Sequence, residues 1–130
     1  MVISWQDFEN RENSKNFRGT ENRISGDDFL RVDMRVGTIL SAKINEGAKK
    51  PSYELKIDFG SLGIKHSSAQ LTELYSAKEL VGKQIVAVVN FLPKQVASVM
   101  SECLVLGVLA KEGVVLLKTE RKVANGDKIA

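Results

Sequence analysis

The sequence predicts an all-β fold, namely a five-stranded Greek-key barrel with one helix between the third and fourth strands and a few short added elements. Two observations lead to this prediction. From Phe29 onward, apolar and polar residues alternate in several short runs, a pattern typical of half-buried strands. After the third run, apolar residues recur at helical spacing before the strand pattern resumes, which indicates a single helical connection.

The first three strands follow from the alternation. Residues 34–44 predict a long strand, whose polar, partly basic face is expected to point outward. The expected inward residues are Met34, Val36, Thr38, Leu40, Ala42 and Ile44, and the outward ones are Arg35, Gly37, Ile39, Ser41 and Lys43. Residues 53–60 alternate without interruption, with Tyr53, Leu55, Ile57 and Phe59 inward. Residues 63–68 indicate a weaker third strand.

The remaining elements complete the barrel. Leu71, Leu74, Tyr75 and Leu80 predict a helical connection that Gly82 ends. Residues 84–91 are apolar on both faces, which favours a central strand. Residues 103–110 and 114–118 flank a turn containing Gly113 and predict a hairpin. One helix after the third strand is the arrangement of the oligonucleotide/oligosaccharide-binding (OB) fold; a different small barrel or an α+β sheet is the open alternative.

A long polar connection separates the fourth strand from the next one. About a dozen residues link them, although a plain hairpin needs only a short turn. Pro93 has no N–H group and is expected to end the strand pairing and send the chain outward. The segment through Glu102 would then shape a rim at which polar side chains face a ligand; an unliganded polar loop is the alternative.

Composition and charge limit the class of protein. The chain has 130 residues, 43% hydrophobic and 27% charged, which favours one ordinary globular domain. It has no 18-residue apolar run and no recognisable secretory signal, and its single cysteine, Cys103, cannot form an internal disulfide. We therefore expect a cytoplasmic protein without membrane insertion, and we expect Cys103 to be a small buried side chain.

Residues 1–28 differ from the rest and predict an N-terminal extension before a domain at 29–130. The extension carries six acidic and four basic side chains, a net charge of −2, whereas the domain carries 15 basic and 10 acidic ones, a net charge of +5. Ser4 and Asp7 would cap a short helix holding Trp5 and Phe8, and residues 16–28 have the composition of a linker. A mildly basic domain favours a polyanionic partner.

Several motifs in one order resemble the tRNA-binding domain family. They are VDMRVGTI (32–39), KIDFG (56–60), IKHSSAQL (64–71), GKQIVAVVNFLPKQ (82–95) and SECLVLG (101–107). The family includes the C-terminal domain of many methionyl-tRNA synthetases and free-standing dimers, and the resemblance is closest to its small export-related chaperones. It implies an OB fold, tRNA as a partner, unfolded or export-bound polypeptides as a second partner, and homodimers.

The resemblance also implies site residues. Asn90 and Pro93–Lys94 correspond to the family's Asn-Leu-Lys-Pro segment, and Ser101–Glu102 correspond to its Ser-Glu-Gly-Met segment, with Cys103 and Leu104 in place of Gly and Met. Lys94 would supply a charge for phosphate, whereas Asn90 and Ser101 would supply neutral hydrogen bonds. Glu102 would hold Lys94 or backbone amides in place.

Further candidates come from the residues themselves. Lys65 is expected to contact phosphate, and Ser67 and Gln70 bases or peptide backbone; a strand end followed by a helix cap is the alternative. Arg35 and Lys43 would lie on the outer face of the first strand, with Gly37 leaving room for close approach, unless that face is simply solvated.

Catalysis and metal binding are disfavoured. The only histidine, His66, lies 37 positions from the only cysteine, so no His and Cys zinc-ligand set is assembled. No nucleophile-elbow motif accompanies Ser67 or Ser68. We expect no enzyme activity and no cofactor.

Two functions therefore remain. One is a dimeric chaperone that binds RNA and holds apolar polypeptides; the other is an RNA-binding module without chaperone activity, such as a tRNA-binding cofactor of a synthetase. Dimerisation is expected because the chain has more apolar residues than one thin barrel needs, with Leu92, Val96 and Val99 at the dimer or peptide groove.

Overall fold

The computed structural model describes residues 22–130, which form mostly short strands. The helices are α1 (Gly26–Leu30) and α2 (Ala77–Leu80), with a 3-10 turn at Gly60–Leu62. The strands are β1 (Met34–Ile44), β2 (Tyr53–Asp58), β3 (Ile64–Ala69), β4 (Gln84–Val88), β5 (Lys94–Val96), β6 (Val99–Ser101), β7 (Leu104–Val105), β8 (Gly107–Ala110) and β9 (Gly113–Leu116). The helix expected at Ser4 and Asp7 lies outside the described residues.

Five strands form one antiparallel sheet in the order β3-β2-β1-β4-β7. The two edges of this sheet approach each other. The Glu102 N–H donates to the His66 carbonyl at 2.8 Å, and the Ser67 hydroxyl donates to the Cys103 carbonyl at 2.8 Å. These bonds nearly close the sheet into a barrel, so the predicted five-stranded OB fold is confirmed.

The barrel interior is formed largely by β2 and its neighbours. Tyr53, Leu55, Ile57 and Phe59 are each at most 6% exposed, which confirms the predicted alternation. Ile85 and Ala87 of β4 are fully buried beside them, because β4 is a central strand as expected.

Most predicted faces of β1 are wrong, although Ala42, beyond its bulge, packs against the core as predicted. Gly37 and Ile39 point into the core, whereas Leu40 and Ile44 are exposed. A β-bulge between Ile39 and Ser41 shifts the register against β2, and an extra residue in one strand reverses the inward and outward positions beyond it. Because Gly37, which precedes the bulge, faces the side chains of Ile57 and Phe59, it does not leave room for a ligand on the outer face.

The edge of β1 at Val36 is paired with the end of the chain. The Val36 N–H donates to the Asp127 carbonyl at 3.0 Å, and the Gly126 N–H donates to the Val36 carbonyl at 2.7 Å. Val36 is 1% exposed although it does not belong to the main core cluster, and the adjacent Gly37 is also buried. Burial on both faces explains why alternation alone assigned this strand incorrectly.

Gly37 fills a position that has no space for a side chain. A Cβ atom there would lie 2.7 Å from the side chains of Ile57 and Phe59. We expect Gly37→Ala to reduce the free energy of unfolding by about 1–3 kcal/mol, because it overpacks the core, measured by urea denaturation. Gly26→Ala is the control, since a Cβ atom at that position would have no other atom within 4 Å. Equal stabilities of the two variants would contradict this packing argument.

The helices are shorter than the sequence pattern suggests. Residues 71–75 form a turn, and only Ala77–Leu80 is helical, with Ser76 in a capping box with Glu79. Helix α1 begins inside the stretch interpreted as linker, where Ser25 caps it through Asp28. Single capped turns give too little periodicity for a sequence pattern to delimit them.

The long connection after β4 contains its own hairpin. Strands β5 and β6 pair with Val96 opposite Val99 and Lys94 opposite Ser101.

Within residues 22–130, no helix has the length and apolar character needed to cross a membrane. In the same residues, no three His, Cys, Asp or Glu side chains lie close enough together to hold a metal ion.

Candidate nucleic-acid interface

The β5–β6 hairpin stands beside the end of the barrel and forms one wall of a groove. Its turn is tight, and Ala97 in that turn adopts φ of 54°, a left-handed conformation that costs a non-glycine residue about 1–2 kcal/mol. Gly47 of the β1–β2 loop approaches the Ala97 side chain. The hairpin and this loop therefore face each other across the groove.

The groove, of about 600 Å³, carries a concentration of positive charge. It is lined by Gly47, Ala48, Lys49, Lys50, Ser52, Ser68, Gln70, Lys94, Gln95, Val96 and Ala97. We call this set the basic groove. Three of its side chains are lysines and none is acidic, and within the described chain no carboxylate lies at ion-pair distance from these lysines. Such a surface attracts anions.

A buried polar network supports the basic groove from below. Asn45, which is 4% exposed, donates from Nδ2 to Ser68 Oγ at 3.0 Å and to the Val96 carbonyl at 3.2 Å. The hydroxyls of Ser52 and Ser68 are 3.0 Å apart, and the Ser68 N–H donates to Ser101 Oγ at 3.1 Å. The network ties the hairpin to β3 and fixes the groove wall.

A second cavity of about 470 Å³ adjoins the basic groove and shares Lys50 and Gln70 with it. It runs along the β8–β9 hairpin to Lys111 and includes one carboxylate, that of Glu73. Beyond the basic groove, this cavity therefore adds one positive and one negative side chain, Lys111 and Glu73, with no net charge.

The predicted site residues separate into two groups. Lys94 and Gln70 line the basic groove, and their contact with a ligand stays a prediction. Ser67 and Ser101 are fully buried, because their hydroxyls bond to the Cys103 carbonyl and the Ser68 N–H. These two serines therefore support the fold from inside. Their hydroxyls are not exposed, so they are not placed for the direct ligand contact that was predicted.

Asn90 and Arg35 lie away from the basic groove and are held within the fold. The Asn90 amide accepts from the Asp33 N–H at 3.0 Å and donates to the Arg31 carbonyl at 2.7 Å. The Arg35 guanidinium pairs with Asp33 at 2.7 Å and donates to the Gly126 carbonyl at 3.1 Å. Both side chains therefore anchor the segment that precedes β1.

Glu102 holds a backbone amide, which is one of the two roles expected of it. Its Oε1 accepts from the backbone N–H of His66 at 3.0 Å and lies 3.4 Å from His66 Nδ1.

Two predicted basic residues lie outside the basic groove. Lys65 is half-buried on β3 opposite Ile57 and does not line the groove. Lys43 lies 3.3 Å from Glu54.

Cys103 is fully buried, as predicted. Burial raises the pKa of its thiol to about 11. The thiol therefore stays protonated at neutral pH and does not act as a nucleophile.

The three predicted apolar contact residues also differ from one another. Leu92 is 83% exposed, whereas Val99 is 2% exposed within its own chain and needs no partner to cover it. Val96 is half-buried and lines the basic groove.

Sequence reasoning missed Lys49, Lys50 and Gln95. The two lysines lie in a loop that the sequence marked only as a connection between strands, next to Pro51. An adjacent pair of lysines before a proline was the available signal, but nothing in the pattern placed this loop opposite Lys94.

Comparisons with known proteins agree with the fold. Residues 34–128 match the family described as "Putative tRNA binding domain". The chaperone CsaA from Bacillus anthracis str. Ames has a TM-score of 0.78 and 49% identity, covering 83% of this chain and 99% of that chain. The CsaA chaperone protein from Picrophilus torridus has a TM-score of 0.79 and 49% identity, covering 83% and 100% of the two chains.

Curated relatives include longer enzymes. The methionine–tRNA ligase of Leptospira biflexa serovar Patoc is 36% identical over 104 residues, which are 80% of this chain and 15% of the ligase. This chain thus spans a small part of the length of that relative. Since the family match covers most of the barrel, the chain belongs to the tRNA-binding domain family.

Proposed function

We propose that this protein binds tRNA or another structured RNA through the basic groove and has no catalytic activity of its own. The observation that carries the proposal is the set of three lysines without carboxylate partners around one groove in a member of the tRNA-binding domain family. The cytoplasm, where we expect the protein, contains such RNA.

The chemistry of the basic groove favours contact with the RNA backbone. Lysine ammonium groups act as point charges for phosphate, and Gln70 and Gln95 offer neutral hydrogen bonds to sugars or base edges. The residues that line the groove include no aromatic side chain on which a base would stack. Recognition is therefore expected to follow RNA shape more than sequence.

The test is a filter-binding titration of the chain with folded tRNA at several salt concentrations. The three lysines of the basic groove should contribute about −2 to the slope of log affinity against log salt. Lys94→Ala should weaken binding about 5-fold at 0.1 M salt and flatten the slope by about 0.7. Absence of salt-dependent RNA binding by the unaltered chain would refute the proposal.

We propose as a second function that the protein is a CsaA-like dimeric chaperone for export-bound polypeptides. The two CsaA structures are 49% identical to this chain over almost their full length. In addition, Leu30, Val32 and Leu92 are 65%, 38% and 83% exposed, and Asn90 bonds the segment on either side of Val32. We call these three residues the apolar edge.

The apolar edge would form the dimer seam, with roughly 1,600 Å² buried in total, the size of a standard interface. We expect the chain to sediment as a dimer at micromolar concentration and Leu30→Asp with Leu92→Asp to sediment as a monomer. Val81→Asp is the control, because Val81 is 51% exposed elsewhere on the barrel. A monomeric unaltered chain would contradict the dimer.

Chaperone activity needs its own measurement. Suppression of aggregation of an unfolded polypeptide should be present in the unaltered chain and lost in the monomeric variant. RNA binding without such suppression would support the alternative, an RNA-binding module such as a tRNA-binding cofactor of a synthetase.

A further inference from the structure

A second positively charged cleft lies beyond β9, at a different place on the barrel. It has a volume of about 540 Å³. We call it the C-terminal cleft; it is lined by Thr38, Tyr75, Gly82, Lys83, Gln84, Val115, Leu116, Lys118, Thr119, Glu120, Arg121 and Lys122. Four of these side chains are basic and one is acidic, so the cleft carries a net positive charge.

These positive charges are mostly uncompensated. Within residues 22–130, no carboxylate lies within 4 Å of the ammonium groups of Lys83, Lys118 or Lys122. Arg121 lies 3.9 Å from Glu120, but both side chains are more than 80% exposed, and an exposed pair at this distance is weak. Like charges therefore converge here without an internal partner, which favours an external anion.

The loop that carries the charges is held in place by the barrel. Gln84 Nε2 donates to the Val123 carbonyl at 2.7 Å, while the Val123 N–H donates to Gln84 Oε1 at 3.2 Å. The Thr119 hydroxyl donates to the Arg121 carbonyl at 2.6 Å. The backbone of the loop is thus positioned before any ligand binds, which lowers the ordering cost of binding.

The C-terminal cleft is separate from the basic groove. The two share no lining residue. Thr38 in the cleft and Asn45 beneath the groove are seven residues apart along β1 and the start of its loop, which is roughly 20 Å of extended strand. A ligand that touches both must therefore be larger than a few nucleotides.

The cleft offers charge rather than base recognition. Tyr75 is its only aromatic lining residue, and the Tyr75 hydroxyl already accepts from the Leu116 N–H at 3.1 Å. We infer that the C-terminal cleft is a second phosphate-binding surface, which holds the backbone of a structured RNA while the basic groove holds another part of the same molecule. This inference rests on the proposed RNA binding.

The experiment compares a long and a short RNA on the full chain. The variant Arg121→Ala with Lys122→Ala removes two charges from the cleft, and Arg23→Ala with Lys56→Ala removes two exposed charges that line neither surface. Filter binding is measured with folded tRNA and with a tetranucleotide, about the smallest site of an OB fold.

We expect the cleft variant to bind folded tRNA about 25-fold more weakly at 0.1 M salt and to flatten the salt slope by about 1.4. Its affinity for the tetranucleotide should change less than 2-fold, and the control variant should resemble the unaltered chain with both RNAs.

Three results would overturn the inference. Unchanged tRNA affinity and slope would remove the cleft from the RNA surface. Equal losses with tRNA and tetranucleotide would mean that the cleft is not a separate second contact. The same variants are also titrated with polyglutamate, and loss of polyglutamate binding with tRNA binding intact would assign the cleft to an acidic polypeptide. If the unaltered chain binds no RNA, the proposed function itself fails, and this outcome is distinguishable from the other three.

Discussion

Replacing Lys49, Lys50 and Lys94 by alanine together is expected to weaken binding of folded tRNA about 100-fold at 0.1 M salt. Each lysine that contacts a phosphate contributes about 0.7 to the salt slope, so the loss of three contacts flattens it by about 2. The three ammonium groups line one groove, and the effect should therefore be similar for RNAs of different sequence. Filter binding across a salt series measures both quantities.

The matched control for this variant is Arg23→Ala with Lys56→Ala and Lys78→Ala. These three residues are exposed and line neither the basic groove nor the C-terminal cleft. The control has the same net charge as the groove variant, so it separates a local contact from a general loss of positive charge. Equal losses in the two variants would show that the basic groove is not the binding surface.

A groove variant could also lose affinity by unfolding, but these lysines contribute little to stability. Lys49, Lys50 and Lys94 are exposed, and exposed substitutions usually change the free energy of unfolding by at most about 0.5 kcal/mol. Unchanged thermal unfolding of the triple variant is therefore part of the expected result.

The barrel was predictable from the sequence because its core strand β2 has one buried and one exposed face. Tyr53, Leu55 and Ile57 alternate with polar residues, so the pattern and the burial agree. In β1 the pattern failed, because the bulge after Ile39 changes the register and the adjacent residues Val36 and Gly37 are both buried. Neither feature leaves a periodic signal within the strand itself.

The candidate site was only partly predictable for a related reason. Lys94 and Gln70 were identified, but the basic groove also depends on Lys49 and Lys50, which are more than 40 residues from Lys94 in sequence. The contact between their loops arises from the bonds of Asn45 to Ser68 and Val96. Such long-range hydrogen bonds have no local sequence pattern, and an asparagine at position 45 does not by itself indicate which residues it will bond.

Asn45 provides the second large expected effect, on stability. Its amide N–H groups satisfy Ser68 Oγ and the Val96 carbonyl in a site that is 4% exposed. Asn45→Asp replaces this donor by an acceptor and places a carboxylate in the buried site. We expect a loss of about 3–5 kcal/mol at pH 7, seen as a Tm lower by roughly 10–20 °C.

The pH dependence of the loss distinguishes buried charge from lost packing. Burial raises the pKa of the introduced carboxyl above its unfolded value, so the folded state binds the proton more tightly than the unfolded state. The variant should therefore regain stability as the pH falls and lose it as the pH rises through the folded pKa. Asn45→Ala, which removes the hydrogen bonds without adding charge, should cost about 1–3 kcal/mol with no such extra dependence. Urea denaturation of both variants between pH 4 and 8 checks this prediction. If the Asn45→Asp variant is as stable as the unaltered chain at pH 7, the network that holds the groove wall is not buried as described.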